Sequence, residues 1–300
     1  MRALVLCGDT SGKTKGLNFS DKLFITMEFY TYDIQNPVLK PFIQYILFNY
    51  SNRIENPYLI KSYANNNFCL GILNHKKLVE LEDGKKTLAE SNYITSYISG
   101  LYLKSFDFLV TGEQDEICID FTPLGFKHFF NFPIKTFILN EDILHESFGP
   151  DSKLFFEAVF IENDFYKRGQ VIEKFFLEKL KEYKNVFLKE CLFKMGESEG
   201  NIKLYHLYKH LKCSEKKIYR EFVTELDLTP KDYLRIIKFR KALKLLLYKN
   251  QSVTEAAYES SFTDPSHLNK EFNFFTQKSP TQFIKSSLDI DQKVIVSKSC

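Results

Sequence analysis

The chain has 300 residues, 44% of them hydrophobic and 26% charged, with 41 Lys and Arg against 38 Asp and Glu. This length predicts about two domains, each long enough to bury a core. No apolar run approaches the roughly 20 residues that cross a bilayer. The apolar residues at 3–7 are too few for a secretory signal. Because the six cysteines are scattered and form no C-x-x-C pair, they indicate reduced thiols. We therefore expect a cytoplasmic protein without a membrane segment.

Residues 1–27 read as a flexible leader. The segment at 8–14, GDTSGKT, resembles a phosphate-binding loop, but it is one residue short of the spacing that such a loop needs. We hypothesise that Met27 is the natural start, because the first recognisable domain begins directly after it.

Residues 28–184 predict one mixed domain. Residues 28–33 alternate like a strand, and residues 37–49 carry apolar side chains at helical spacing. Further short strands separated by polar turns are predicted at 58–63, 68–73, 77–81, 93–99, 106–110 and 117–121. Helices are predicted at 126–131, 152–160 and 165–183. Many short strands with regular turns indicate a small antiparallel sheet or barrel.

Residues 185–249 predict a first helix-turn-helix. Ser214 is a good N-cap for a helix that runs to about residue 226, with Ile218 and Phe222 facing inward. The opposite face of that helix carries Lys216, Tyr219, Arg220 and Val223 at a spacing of three and four residues. A long helix then starts at Thr229-Pro230 and extends to about residue 248.

Residues 253–283 predict a second helix-turn-helix. Asp264 and Pro265 are typical of a helix start. Leu268, Phe272 and Phe275 then form a buried stripe of a helix at 264–275. The other face of this helix carries polar side chains that can donate to bases or phosphates, namely Ser266, Asn269, Lys270 and Asn273.

The second segment resembles the AraC/XylS family of bacterial transcription regulators. Its residues match the family pattern I-x-x-I-A-x-x-x-G-F-x-D-x-S-x-F-x-R-x-F at Val253, Ala256, Ala257, Phe262, Asp264, Ser266, Leu268, Lys270 and Phe272, and Pro280 matches the later proline. In the first unit, Arg220 occupies the position of the family arginine. Three family glycines are replaced, by Asp227, Ser261 and Gln277. Because Gly relieves left-handed strain after helices, these replacements suggest either a small cost in stability or turns of a different shape.

The resemblance implies an α+β protein with the following organisation. Residues 28–184 form a mixed antiparallel β-sheet or barrel-like domain with helices. Residues 185–288 form an all-α DNA-binding domain, in which a long helix joins two helix-turn-helix units. Residues 289–300 form a tail. The prolines and glycines near 37–43 and 121–133 resemble a poorly characterised N-terminal domain found ahead of some AraC-type domains. That resemblance implies a sensory or dimerisation module without naming its ligand.

The basic residues are concentrated in the predicted DNA-binding domain. Residues 185–288 carry 18 Lys and Arg against 12 Asp and Glu, whereas residues 1–184 are net acidic. A basic surplus of this kind is the electrostatic footprint of a nucleic-acid-binding domain. It indicates double-stranded DNA as the partner.

Nine side chains are the candidate DNA contacts. Arg220 can bond guanine through two N–H groups, and Asn269 can bond adenine through its amide. We expect Lys216, Lys217 and Lys270 to contact phosphates. Tyr219 can pack on a sugar or a thymine methyl, or equally on its own helix, and His267 can touch the DNA backbone or remain solvated. Ser266 and Asn273 complete the set of donors.

The resemblance implies a transcription regulator, most often an activator, with RNA polymerase, a small-molecule effector and a second copy of the chain as further partners. His206, His210 and Cys213 have a spacing that can bind zinc, but they fall within a predicted DNA-binding unit, so we expect neither metal nor cofactor. The alternative is an enzyme fused to a regulator, with catalysis in residues 28–184. One form of this alternative, the alkylation-repair regulators with a methyl-accepting cysteine, would require a clustered zinc-cysteine site, whereas Cys69 and Cys118 are isolated in the sequence. We expect no enzymatic activity.

Overall fold

The computed structural model describes residues 2–5, 27–51, 57–132, 137–139, 142–249, 251–290 and 294–299. Its strands are β1 Arg2–Val5, β2 Met27–Asp33, β3 Ile43–Ser51, β4 Tyr58–Ser62, β5 Phe68–Leu73, β6 Lys76–Glu80, β7 Lys86–Glu90, β8 Thr95–Ser99, β9 Phe106–Val110, β10 Gln114–Phe121, β11 Phe137–Ile138, β12 Ser287–Ile290 and β13 Val294–Ser299. Its α-helices are α1 Ile143–Phe148, α2 Asp151–Ile161, α3 Phe165–Lys179, α4 Val186–Glu197, α5 Leu204–His210, α6 Glu215–Leu226, α7 Pro230–Tyr248, α8 Val253–Glu259, α9 Pro265–Thr276 and α10 Pro280–Ser286.

The strands form two sheets rather than one closed barrel. Sheet A has the order β1-β2-β3-β10-β5-β8-β11, and sheet B has the order β12-β13-β4-β9-β7-β6. The neighbouring strands pair antiparallel except for β7 and β9, which pair in parallel through Lys86 and Thr87. The predicted α+β class is therefore confirmed, with two open sheets in place of the barrel.

The helix predicted within residues 37–49 is wrong. Residues 37–42 form turns, and β3 begins at Ile43 and pairs with β2 on one side and β10 on the other. Seven of its nine residues are buried, because it is a central strand covered on both faces. A continuous apolar run of this kind satisfies helical spacing as easily as strand spacing, so periodicity alone misassigns it.

Both ends of the chain pair with the sheets. Arg2–Val5, within the predicted flexible leader, forms β1 and pairs with β2. The predicted phosphate-loop segment lies outside the described residues. At the other end, β13 lies within the predicted tail and pairs with β4 of the N-terminal half. The chain therefore returns to the N-terminal half after its last helix.

A single apolar core runs through both halves of the molecule, from Tyr32 in β2 to Phe283 in α10. In the N-terminal half, Phe121 packs between Phe126, Phe130 and Phe176, with ring centroids 5.6–5.8 Å apart. In the C-terminal half, the core lies along α7. No helix among the described residues is both long and apolar enough to cross a membrane.

Candidate nucleic-acid interface

Helix α6 begins where the sequence predicts. The Ser214 hydroxyl accepts a hydrogen bond from the Lys217 N–H at 3.3 Å and caps the helix. Ile218, Phe222 and Leu226 are fully buried, and Phe222 contacts the Tyr233 ring of α7 with a centroid distance of 5.8 Å. Helix α5 packs against α6 and completes the first helix-turn-helix.

Helix α9 is built in the same way. The Asp264 carboxylate accepts from the His267 N–H at 2.8 Å, and Pro265 occupies the first turn. Leu268, Phe272 and Phe275 are fully buried, and the Phe275 ring stacks on Phe239 of α7 at 4.5 Å. Helix α8, which begins with a capping box between Ser252 and Glu255, completes the second helix-turn-helix.

Helix α7 therefore holds both α6 and α9. An ion pair adds to the packing at α9, since the Arg235 guanidinium bonds both oxygens of Glu271, at 2.9 and 3.2 Å. The same guanidinium bonds Asp232 at 2.9 Å and lies 4.3 Å from the centroid of the Phe274 ring. Because α6 and α9 are both anchored to α7, the spacing between them is determined by one rigid element.

The nine candidate side chains lie on α6 and α9 outside the buried stripes. Eight of the nine residues are exposed, namely Lys216, Lys217, Tyr219, Arg220, Ser266, His267, Lys270 and Asn273, and Asn269 is half-buried. In the described part of the chain, no carboxylate forms an ion pair with Lys216, Arg220 or Lys270. The contact of these residues with DNA stays a prediction.

Two of the nine make contacts that the sequence does not predict. The Lys217 ammonium lies 4.2 Å from the centroid of the Phe187 ring on α4, so this lysine leans away from the outer face of α6. The His267 ring lies 5.3 Å from that of Phe262, and its Nδ1 lies 3.4 Å from the Thr263 hydroxyl. These contacts limit the reach of both side chains.

The three residues that stand in place of the family glycines all have a left-handed backbone conformation. The φ angles are 55° at Asp227, 61° at Ser261 and 59° at Gln277. Asp227 and Gln277 directly follow α6 and α9, where each backbone N–H closes the last helical turn. The turns thus keep a left-handed geometry that favours glycine although the side chains are larger.

The proposed zinc ligands lie on or beside α5. His206 and His210 are exposed, and the His210 Nε2 lies 3.6 Å from a Glu190 carboxylate oxygen. The described residues contain no group of three or more His, Cys, Asp or Glu arranged to hold a metal ion. This alternative therefore gains no support from the geometry.

The N-terminal half contacts α6 and the residue that directly follows α9. On α6, Glu225 accepts a hydrogen bond from Tyr183 at 3.2 Å and pairs with Lys127 at 2.9 Å. Glu221 of α6 accepts from Asn185, the N-cap of α4 in the C-terminal half, at 2.9 Å. Lys61 of β4 donates to the Gln277 side chain, directly after α9, at 3.3 Å. The sequence carried no signal for these contacts, because the partners are separated by 36 residues or more.

Comparisons with known proteins agree with this geometry. Residues 207–286 match the model of a helix-turn-helix domain family. A comparison with curated protein sequences finds no match.

Several solved structures are similar to this chain. One structure of ToxT from Vibrio cholerae has 13% identity and a TM-score of 0.46, and the similarity covers 80% of this chain and 98% of that one. A structure of ToxT with a bound unsaturated fatty acid has 12% identity, a TM-score of 0.42 and coverages of 80% and 94%. The AraC-like transcriptional activator CuxR has 10% identity, a TM-score of 0.27 and coverages of 87% and 91%. At these values the comparison identifies neither a ligand nor a partner of this chain.

The capped recognition helices, the shared α7 and the family match over residues 207–286 lead to one assignment. The C-terminal part of the chain carries a helix-turn-helix domain with two units on a shared helix, an architecture that binds DNA.

Proposed function

We propose that the protein is a sequence-specific transcription activator that inserts α6 and α9 into successive major grooves on one face of a DNA duplex. The observation that carries this proposal is the joint anchoring of both helices on α7, with their polar faces left exposed. Successive major grooves on one face of B-DNA are about 34 Å apart. A single rigid helix, α7, between α6 and α9 suits this distance between grooves.

In this proposal, Arg220 is the principal base-reading side chain and Asn269 reads a second site. A bidentate Arg–guanine contact discriminates against the wrong base by roughly 1–3 kcal/mol. Lys216 and Lys270 neutralise phosphates, which supplies affinity without sequence information. Lys217, held over Phe187, contributes less than the other two lysines.

We assign residues 28–184 to a sensory or dimerisation domain and residues 185–288 to the DNA-binding domain. Lys127 contacts α6 and Lys61 contacts the residue after α9. Through these contacts the N-terminal domain can change the placement of the two helix-turn-helix units. RNA polymerase and a second copy of the chain are the further partners in this proposal. A small-molecule effector would act through the N-terminal domain.

The test is selection of bound duplexes from a random DNA library with the full-length protein, followed by titration of the winning sequence. We expect two conserved patches about one helical turn apart. Binding to the winning sequence should weaken steeply as salt rises, because Lys and Arg displace counterions. Enrichment of no sequence, or a flat salt response, would refute sequence-specific binding.

Two matched variants identify the base reader. Arg220→Ala should lower affinity for the selected site about tenfold or more and leave affinity for random DNA much less affected. Lys216→Ala, which removes an exposed cation from the same helix, should weaken binding to both DNAs by similar factors. Equal losses from Arg220→Ala on both DNAs would reduce Arg220 to a phosphate contact.

A further inference from the structure

Helix α6 carries three charged side chains on the flank between its buried stripe and its exposed face. They are Lys217, Glu221 and Glu225, which are spaced four residues apart and so follow one line along the helix. The segment that joins α3 to α4 runs beside this line. Its Asn185 amide donates to Glu221 at 2.9 Å, and its Tyr183 hydroxyl donates to Glu225 at 3.2 Å. The flank of α6 is therefore partly covered, while the candidate DNA-binding face is open.

Glu225 also forms an ion pair with a lysine of the N-terminal half. The Lys127 ammonium lies 2.9 Å from a Glu225 carboxylate oxygen, and the two side chains are 9% and 24% exposed. An ion pair that is shielded from water in this way is weakened less by salt than a pair on the open surface. Burial and the charge of Glu225 raise the pKa of the Tyr183 hydroxyl, so this group keeps its proton and remains a donor to the same carboxylate. Lys127 therefore supplies the positive charge that balances Glu225.

The backbone of Lys127 is fixed within the N-terminal half. It belongs to a short 3-10 helix, Phe126–His128, in which Phe126 and His128 are buried. The Phe126 ring stacks on that of Phe130 with a centroid distance of 4.3 Å. The His128 carbonyl accepts from the Lys181 N–H at 3.0 Å, and the His128 Nδ1 donates to the Lys181 carbonyl at 2.7 Å. The position of Lys127 against α6 therefore depends on how the N-terminal half is placed.

Helix α9 has a comparable carboxylate, but the partner of that carboxylate lies within the C-terminal half. Glu271 of α9 accepts from Arg235 of α7 at 2.9 and 3.2 Å. The negative charge on α9 is thus balanced without the N-terminal half, whereas the balance at Glu225 requires it. The sequence of α6 contains three cations and three carboxylates, so this helix has no net positive charge of its own. Its attraction for phosphate is therefore sensitive to the loss of one compensating cation.

We propose that Lys127 of the N-terminal half is a determinant of DNA affinity, because it neutralises Glu225 on the flank of α6. This inference rests on the proposed DNA-binding function. A major groove about 12 Å wide places phosphates within about one Debye length of a helix inside it, so an unpaired carboxylate on the flank of that helix weakens binding. A movement of the N-terminal half that withdraws Lys127 from α6 lowers the affinity for every duplex, whatever its sequence.

The experiment compares duplex binding by the full-length wild type and by Lys127→Met, which removes the charge and keeps most of the side-chain stem. At low salt, we expect Lys127→Met to bind both the selected duplex and a random duplex about threefold or more weakly. The loss should shrink as salt rises, because ions screen the repulsion between Glu225 and phosphate. Lys153→Met is the matched control, since it removes the same charge and breaks an ion pair with Asp142 in the N-terminal half. An equal loss in Lys153→Met would show that only the overall charge matters and would overturn the proposal.

A second substitution separates the effect of charge from that of folding. Glu225→Gln should bind both duplexes more tightly than wild type, because it removes a carboxylate from α6 while its side-chain carbonyl can still accept from Tyr183. A gain in affinity cannot arise from poor folding. The double variant Lys127→Met/Glu225→Gln should recover at least the wild-type affinity, since no unbalanced charge remains at this pair. Weaker binding by Glu225→Gln, or a double variant no better than Lys127→Met, would contradict the assignment.

The use of two duplexes distinguishes failure of this inference from failure of the proposed function. Weaker binding of Lys127→Met to random duplex, with no sequence selected from the library by the wild type, would refute sequence-specific reading alone. Selection of a sequence by the wild type, with Lys127→Met binding as tightly as wild type, would refute only the role of Lys127. A wild type that binds no duplex would refute both.

Discussion

Left-handed backbone at Ser261 is a local weakness of the second helix-turn-helix. Its φ angle is 61°, a value that costs a residue with a Cβ roughly 1–2 kcal/mol relative to glycine. The backbone contacts of this turn do not depend on the side chain, since the Ser261 carbonyl accepts from Lys238 at 3.2 Å. Glycine can therefore take this position without losing a backbone hydrogen bond.

We predict that Ser261→Gly stabilises the protein by about 0.5–1 kcal/mol, because relief of the left-handed strain exceeds the added flexibility of glycine in the unfolded chain. Urea unfolding should show a higher midpoint with an unchanged slope. The neighbouring Ser260→Gly is the control, because Ser260 has a φ of −90° and should only lose stability. A lower midpoint for Ser261→Gly would show that the turn is not strained.

The candidate DNA-binding faces are largely predictable from sequence. Ser214 and Asp264 mark the helix starts, and the buried stripes at Ile218 and Leu268 then determine which side chains face outward. The stacking of Lys217 on Phe187 was not predictable, since the two residues lie 30 positions apart on different helices. Contacts of this kind depend on how the elements pack, which local spacing does not encode.

At the scale of elements, prediction was weakest in the sheets. The sequence does not predict strand β7, Lys86–Glu90, because a short polar sequence next to a turn has little strand propensity of its own. It is held in place by pairing with β6 and β9.

The link between α7 and α9 depends on the geometry of one arginine. Arg235 bonds both Glu271 oxygens and lies over Phe274, which the single ammonium of a lysine cannot reproduce. We predict that Arg235→Lys lowers the free energy of unfolding by about 1–2 kcal/mol. Chemical denaturation measures this loss.

The same substitution tests whether α7 positions α9. Affinity for the selected DNA should fall in Arg235→Lys at a temperature where the protein remains folded, because α9 is less firmly held. Lys231→Ala removes an exposed charge from the same helix and should leave stability within about 0.5 kcal/mol of wild type. A stability loss without any change in DNA affinity would show that the ion pair does not position the reading helix.

At the scale of the whole molecule, the two halves are not independent. Their apolar residues belong to one core, and the Tyr63 ring of the N-terminal half lies 4.8 Å from that of Phe283 in α10. The strand β13 adds a backbone connection from the end of the chain to β4. A change in the N-terminal sheets would therefore reach elements that contact α6 and the turn after α9.

The claim that two helices on one spacer read two adjacent grooves is tested most directly by changing the spacing in the DNA. The protein should bind the selected DNA site that contains both conserved sequence patches. An insertion of five base pairs between the two patches should reduce the affinity to that for a single patch, because it turns one groove to the opposite face of the duplex. An equal insertion outside the two patches should have no effect. Undiminished binding to the site with the internal insertion would contradict simultaneous reading by α6 and α9.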